Sequence, residues 1–224
     1  MNTENGKIIS DRGLRRLPKI LSYIKDLRRY GEETVSCTPI AQYIGCDPTQ
    51  VRKDLSACGA VGRPRTGFEI DELIKLIEDF LGWNNTSEAF LAGAGNLGSA
   101  LLGFEKFRQQ QGLNIVSAFD NDADKIGTEI YGREVLPMSK LSNLARRMHV
   151  LIGIIAVPAD SAQGAADAMI AGGIRAIWNF SPKTLDVPEE TIVENADLSV
   201  SLGVLTAKLQ QELLSYYTSR TTGR

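Results

Sequence analysis

The chain has 224 residues, 43% hydrophobic and 23% charged, with a net charge of −2, values near globular averages that imply a well-buried core. No apolar run approaches the roughly 18 residues a membrane span needs, and residues 1–11 lack the apolar stretch of a secretory leader, so no membrane association is expected. Cys37, Cys46 and Cys58 are an odd number with no CxxC pair; they exclude a disulfide framework and a zinc site and set the expected location as the reducing cytoplasm.

Charge is unevenly spread. Residues 1–70 carry 12 Lys and Arg against 8 Asp and Glu, a net +4, and the remainder carries 13 against 19, a net −6. A basic end on an acidic body points that end toward a polyanion. Leu14, Leu17, Ile20, Leu21, Ile24 and Leu27 recur at helical spacing and predict a first amphipathic helix, decorated by cations that include Arg16. A second helix is expected over residues 39–44, with Thr38 as N-cap, Pro39 at its first position and Gly45 as its stop. A third starts from Asp47 as cap, with Pro48 at the first helical position and Gln50 placed to complete a capping box. Two short helices around a Gly-containing turn are the skeleton of a helix-turn-helix.

On the third helix Val51, Leu55 and Cys58 share an apolar face, while Thr49, Arg52, Lys53 and Ser56 share the opposite one, with Gln50 beside it. Arg pairs bidentately with guanine and Gln with adenine, and Lys or hydroxyls hold phosphates. A solvated helix face also reads this way, so the segment after it matters. Gly62 to Gly67, carrying Arg63 and Arg65 between Ala60-Val61 and Phe68-Glu69-Ile70, reads as a hairpin with a basic tip, the wing of a winged helix. Arg16, Thr49, Gln50, Arg52, Lys53, Ser56, Arg63 and Arg65 are therefore the candidate DNA contacts. Cys46 and Cys58 read as small buried hydrophobes rather than redox centres. Residues 71–81 predict a connecting helix, and Trp83 to Ser87 a boundary.

Glu88 to Ala92 is a short apolar run entering Gly93-Ala94-Gly95-Asn96-Leu97-Gly98. A helix is expected over 99–111 and a strand over 113–119, ending at Asp120 with Asn121 next to it. A GxGxxG between strand and helix, with an acid 22 residues beyond its last glycine, is the dinucleotide fingerprint. The first glycine allows the tight turn, the second admits the pyrophosphate and the third packs helix on strand. Asp120 is assigned to the ribose hydroxyls, favouring NAD over NADP. Further strands are expected over 150–157, 174–178 and 197–201, with a helix over 159–171 between the first two. The result is a doubly wound parallel sheet of the Rossmann type, whose ligands sit at the carboxyl ends of its strands. Ala156, Val157, Pro158 and Asn179 occupy such ends and join the cofactor candidates. A terminal helix over 205–217 carries Leu209, Leu213, Leu214 and Tyr217, which either dock on their own domain or contact a second subunit. The only histidine, His149, lies at a strand's amino end, and no acid/base constellation appears, so no catalytic residue and no metal ligand is assigned.

The whole chain from Arg15 to Leu209 resembles the Rex family of redox-sensing repressors. The motifs are Arg16-Leu17-Pro18, Gln50-Val51-Arg52-Lys53-Asp54-Leu55-Ser56, the wing ending in Gly67-Phe68, the glycine loop continued by Ser99-Ala100, Phe119-Asp120, Val157-Pro158, Asn179-Phe180 and Val193 to Asp197. The resemblance implies a homodimer that binds operator DNA when NAD+ is high and releases it when NADH binds, with the C-terminal helix exchanged between subunits. It also implies that Asp197 approaches the partner's nicotinamide pocket. Phe104 stands where many members carry a tyrosine, and the wing tip differs from the more usual basic-glycine sequence. The expected division is a winged-helix domain over 1–82, an NAD(H)-binding Rossmann domain over 83–204 and the exchanged helix over 205–224. The rival readings are an NAD-dependent dehydrogenase with an accessory domain and a CoA-binding module.

Overall fold

The computed structural model describes residues 9–196 and 198–221, with side chains as far as 214 apart from Leu198. It divides into two compact units between Asn85 and Thr86, Gln110–Gly112 grouping with the first.

In the first unit the apolar periodicity folds into α1 (Asp11–Arg29), whose N-cap Ser10 accepts from the Gly13 amide. There follow β1 (Thr34–Val35), α2 (Cys37–Ile44), α3 (Pro48–Ala57), β2 (Phe68–Glu69) and α4 (Ile70–Phe80). Leu17, Ile20, Ile24, Ile40, Val51, Leu55, Leu73 and Ile77 form one core shared by the four helices. The three-helix order and the basic turn give a winged helix, with three local corrections. α2 begins at Cys37, so Ser36 holds the cap position and Pro39 stands third rather than first. The first turn tolerates this because its amides have no intrahelical partner to lose. Gln50 does not complete a capping box: Asp47 caps α3 through the Thr49 amide, and the Gln50 side chain turns to Asp54.

The wing is also paired differently. Arg63 and Gly67 exchange backbone hydrogen bonds at 2.7 and 2.9 Å and close the tip, but the returning strand β2 pairs with β1 rather than with Ala60-Val61. Gly67, at φ +88°, brings the chain so close to Val35 that a Cβ there would lie 2.3 Å from its carbonyl oxygen. Gly62 instead faces the ring of Phe68.

The second unit runs β3 (Ser87–Ala92), α5 (Asn96–Gly103), α6 (Lys106–Gln111), β4 (Leu113–Asp120), β5 (Glu129–Ile130), β6 (Arg133–Pro137), a 3-10 turn (Met138–Lys140) and α7 (Leu141–Met148). It continues with β7 (Ile152–Ile155), α8 (Ala159–Ala171), β8 (Ala176–Asn179), β9 (Ile192–Asn195) and α9 (Leu198–Thr221). The strands form one sheet in the order β5-β6-β4-β3-β7-β8-β9, parallel throughout except for the β5–β6 hairpin. Alternate residues of β3 face opposite sides. Phe90 and Ala92 pack with Phe119, Leu141, Ala162 and Met169, whereas Ala89 and Leu91 pack with Leu101, Leu102, Phe107 and Ala118. A sheet covered on both faces explains why its central strands read as unbroken apolar runs.

Here too the boundaries shift. The helix expected over 99–111 is two helices, broken where a Cβ on Gly103 would come within 2.7 Å of the Tyr131 ring and Phe104 leaves helical geometry. β7 is shorter than the run 150–157, because Ala156-Val157-Pro158 forms the turn into α8. Of the segment 197–201, residues 198–201 are helical and not a strand, and Asp197 lies outside the described residues. The edge place beside β8 is taken by β9, and from Leu198 the chain is helical, seven residues ahead of the expected 205. Leu198 and Val200 alternating with serines fit either period, and the helix-forming run Ala207 to Leu214 farther along favours the helix.

Candidate functional site

β3 lies between β4, which leads to one side of the sheet, and β7, which leads to the other, so the strand order reverses between β3 and β7. In open α/β sheets the crevice at the carboxyl ends of such strands is where ligands bind. A cleft of about 670 Å³ lies there, lined by Gly93 and Gly95 after β3, Asp120 and Asn121 after β4, and Ala156, Val157 and Pro158 after β7.

The three loop glycines have three separate reasons. Gly93 has φ +98°, and a Cβ on it would stand 2.5 Å from the Ala156 carbonyl oxygen. A Cβ on Gly98 would meet the Gly93 carbonyl oxygen at 1.9 Å, so α5 packs on the loop only through glycine. Gly95 differs. Its backbone is ordinary extended chain, at φ −79° and ψ −166°, and a Cβ on it meets no atom within 4 Å. Neither conformation nor packing requires glycine there; the open space belongs to the cleft. Gly95 is also the N-cap of α5, which no side chain caps, so the first-turn amides and the positive end of the helix dipole are left for an anion. A dinucleotide's pyrophosphate fits this cradle.

Asp120 sits at the end of β4 with its carboxylate accepting from the Ala94 amide at 2.8 Å and the Asp122 amide at 2.9 Å, and facing the Lys125 ammonium at 3.4 Å. Burial pushes its pKa up, but the two amides and Lys125 outweigh burial and hold the carboxyl below its ordinary value. Lys125 is itself held above the usual lysine value, chiefly by its hydrogen bond to Asp122. The carboxylate is thus ionised and fixed at the cleft wall.

Of the other expected cofactor residues, Ala94 is buried in the loop, Asn96 is exposed at the start of α5, and Leu97 packs into the core beneath it. Asn179 is placed away from the cleft lining: it is fully buried, and its amide donates to the Lys183 carbonyl and Asn195 Oδ1 and accepts from the Ser181 amide, tying β8 to β9. Asp197 lies outside the described residues. Sequence reasoning missed Lys125, Met138, Ser139, Ser161 and Gly164, all in the cleft wall. Lys125, five residues past Asp120 in a polar stretch, was the one with a legible signal.

In the first unit Val51 and Leu55 are fully buried and Cys58 nearly so, while Thr49, Arg52 and Lys53 are exposed and Gln50 and Ser56 half-buried. Together with Ala57 these polar residues line an open groove of about 660 Å³ along α3. Arg63 and Arg65 are exposed at the wing tip. Arg16 is elsewhere engaged. Its Nε and Nη2 donate to Asp54 at 2.6 and 3.0 Å, a bidentate pair whose carboxylate side is 2% exposed. That hydrogen-bonded pairing raises the arginine pKa further. Arg16 is therefore a strut between α1 and α3, its Nε and Nη2 committed to Asp54.

The described residues contain no cluster of His, Cys, Asp and Glu able to hold a metal ion, and no helix among them is long and apolar enough to cross a membrane.

Comparison with known proteins finds matches along both units. Residues 84–183 match the CoA binding domain family, and residues 8–56 match the putative DNA-binding protein N-terminus family. The redox-sensing transcriptional repressor Rex of Carboxydothermus hydrogenoformans is 43% identical over 204 residues, covering 91% of this chain and 98% of the relative. That of Treponema denticola is 42% identical over 199 residues, covering 89% and 94%. Among solved structures, RSP in complex with β-NAD+ and operator DNA superposes with a TM-score of 0.86 at 32% identity, over 95% of this chain and 98% of that one. RSP in complex with β-NADH gives 0.85 over 95% and 99%. Relatives of this identity and coverage establish that the chain belongs to the Rex family of redox-sensing transcriptional repressors.

Proposed function

We propose that this chain represses transcription by binding operator DNA through α3 and the wing, and that NADH bound in the β3–β7 cleft releases it while NAD+ does not. The observation that carries the reading is Gly95, a glycine that neither its backbone nor its packing needs, at the uncapped start of α5 and beside the ionised Asp120. RSP, similar along 95% of this chain, has been captured with β-NAD+ and operator DNA and with β-NADH. In this chain Gly93 and Gly95 would cradle the pyrophosphate, Asp120 would hold the adenosine ribose, and Ala156, Val157 and Pro158 would line the path toward the nicotinamide. Thr49, Gln50, Arg52, Lys53 and Ser56 would enter the major groove, with Arg63 and Arg65 on the backbone or minor groove beside it. The dinucleotide, when bound, supplies a redox-dependent ring charge and shape.

No reaction is needed for this task, and we assign none. A ligand changes DNA affinity only by the difference between its affinities for the DNA-competent and DNA-incompetent states, and the same difference acts in reverse from DNA to ligand. We place the protein in the cytoplasm, where a bacterial regulator meets both DNA and the nucleotide pool, and assign it a homodimer joined by exchange of α9. Titrating a fluorescent operator duplex with the protein, in NAD+ and then in NADH, tests the function. Lower DNA affinity in NADH than in NAD+ is expected, and equal affinities overturn the reading. Competition of NADH against CoA for the cleft excludes the CoA-module alternative if only NADH binds.

A further inference from the structure

Among the described residues Asp54 is the one charged side chain in the buried set of the first unit, 2% exposed, and it stands on α3, the proposed recognition helix. Its Oδ2 accepts from Arg16 Nε at 2.6 Å, and its Oδ1 accepts both from Arg16 Nη2 at 3.0 Å and from Gln50 Nε2 at 3.1 Å. The pair is braced from outside the helix. A Cβ on Gly13 of α1 would lie 3.0 Å from Asp54 Oδ1, so α1 seats closely against the carboxylate. An Asp buried in a helix whose neighbours Val51 and Leu55 are wholly apolar costs desolvation, and Arg16 offsets it. Packing alone would be served as well by an apolar residue, so the carboxylate's other partner is informative.

That partner is Gln50, one turn earlier on the face expected to read bases. An ionised carboxylate only accepts, so of the two ends of the Gln50 amide it selects Nε2 and repels Oε1. The amide is thereby fixed in one sense: one Nε2 hydrogen is spent on Asp54, while Oε1 keeps its full accepting capacity for an outside group along the groove that Gln50 lines. In the major groove adenine N6 and cytosine N4 donate, whereas guanine O6 and thymine O4 accept. We infer that Asp54, anchored by Arg16, is a specificity-positioning residue that presents Gln50 Oε1 to an exocyclic amino group of the operator, so that Gln50 favours adenine or cytosine over guanine or thymine at one position of each half-site.

This rests on the DNA-binding reading above, and the experiment separates the two. The full chain selects duplexes from a random-sequence library in NAD+, and base preference is read position by position for the parent, for Gln50→Ala, and for Arg16→Met/Asp54→Leu. The double substitution replaces both members of the pair with apolar groups of similar size, which buried pairs often tolerate. The parent is expected to favour amino-bearing bases at one half-site position by about fivefold or more, Gln50→Ala to lose that preference, and Arg16→Met/Asp54→Leu to accept amino- and keto-bearing bases there alike. A merely structural role for Asp54 would lower affinity for all duplexes together and leave the preference intact, overturning the inference. A preference that survives Gln50→Ala overturns it as well. Should the double substitution not fold, the parent and Gln50→Ala decide. The affinity of each is measured for the selected duplex with the preferred base replaced by the analogue lacking only the amino group, and a loss present in the parent but absent in Gln50→Ala supports the inference, while no loss sinks it. A parent that selects no duplex refutes the DNA-binding reading itself.

Discussion

Gly95 and Gly98 belong to one loop, yet substitution should separate them. Alanine at Gly98 forces a Cβ against the backbone of Gly93, so β3 and α5 must part, and we expect Gly98→Ala to lower stability by about 1–3 kcal/mol in urea unfolding. Gly95→Ala should cost less than about 1 kcal/mol of stability while weakening NADH binding in calorimetry, because its Cβ enters only the cleft. At Asp120 the lowered pKa carries a sign. The ionised carboxylate stabilises the folded unit above its ordinary value of 3.8 and ceases to do so as pH falls through its lowered one. The stability gap between the parent and Asp120→Asn should therefore narrow on acidification below that window, and a gap that widens there would contradict the bonding described. Cys58 gives the opposite case. Burial, aided by Asp54, pushes its thiol up to about 12, so at pH 8 mass spectrometry should find Cys46 alkylated long before Cys58 in the native chain.

α3 carries the strongest claim among the elements. Arg52 and Lys53 are exposed opposite the buried Val51 and Leu55, so Arg52→Ala/Lys53→Ala should leave melting temperature and NADH binding unchanged. Operator affinity should drop by about 1–3 kcal/mol for a lost base contact, and the salt dependence of log K should flatten by about one for each phosphate contact removed. An unchanged affinity would take this helix out of the recognition role. Much of α3 was legible because its signals are local: Asp47 as cap, Pro48 at the first position, and a clean division between Val51-Leu55 and Arg52-Lys53. The same holds for the glycine loop and for Asp120, whose spacing follows from one βαβ unit. What stayed hidden depends on partners distant in sequence. Nothing near Arg16 announces that it pairs with Asp54, 38 residues on. Asn179 reads as a strand-end polar residue until β9 arrives beside it. The misread strand at 197–201 came from a run too short to show its period.

In the molecule as a whole α9 stands out for its exposed leucines. Leu205 is 64% exposed, Leu209 54% and Leu214 62%, all described within a single chain, while the side chain of Tyr217 lies outside the described residues. If α9 is exchanged in a homodimer, a chain ending before Leu205 should sediment as a monomer that still binds NADH. It should lose high-affinity operator binding, since a monomer engages one half-site and forfeits the effective concentration that links two. A truncated dimer with full operator affinity would return α9 to its own subunit. Leu213→Glu is the milder form of the same test should the truncated chain aggregate.

The separate cores of the two units, one around Leu17 and Ile77 and the other on both faces of β3, make the chain its own thermometer. Two cores can melt as two heat-absorption peaks, and a nucleotide that touches only the sheet raises the midpoint of that peak in proportion to the logarithm of its concentration. The residues lining the nucleotide cleft all belong to the second unit. Any movement the winged-helix peak shows when NADH is added is then the heat-scanned image of the signal passed from cleft to recognition helix. Two peaks of which only one moves would locate that signal in the geometry of the proposed dimer instead of in the cohesion of its parts.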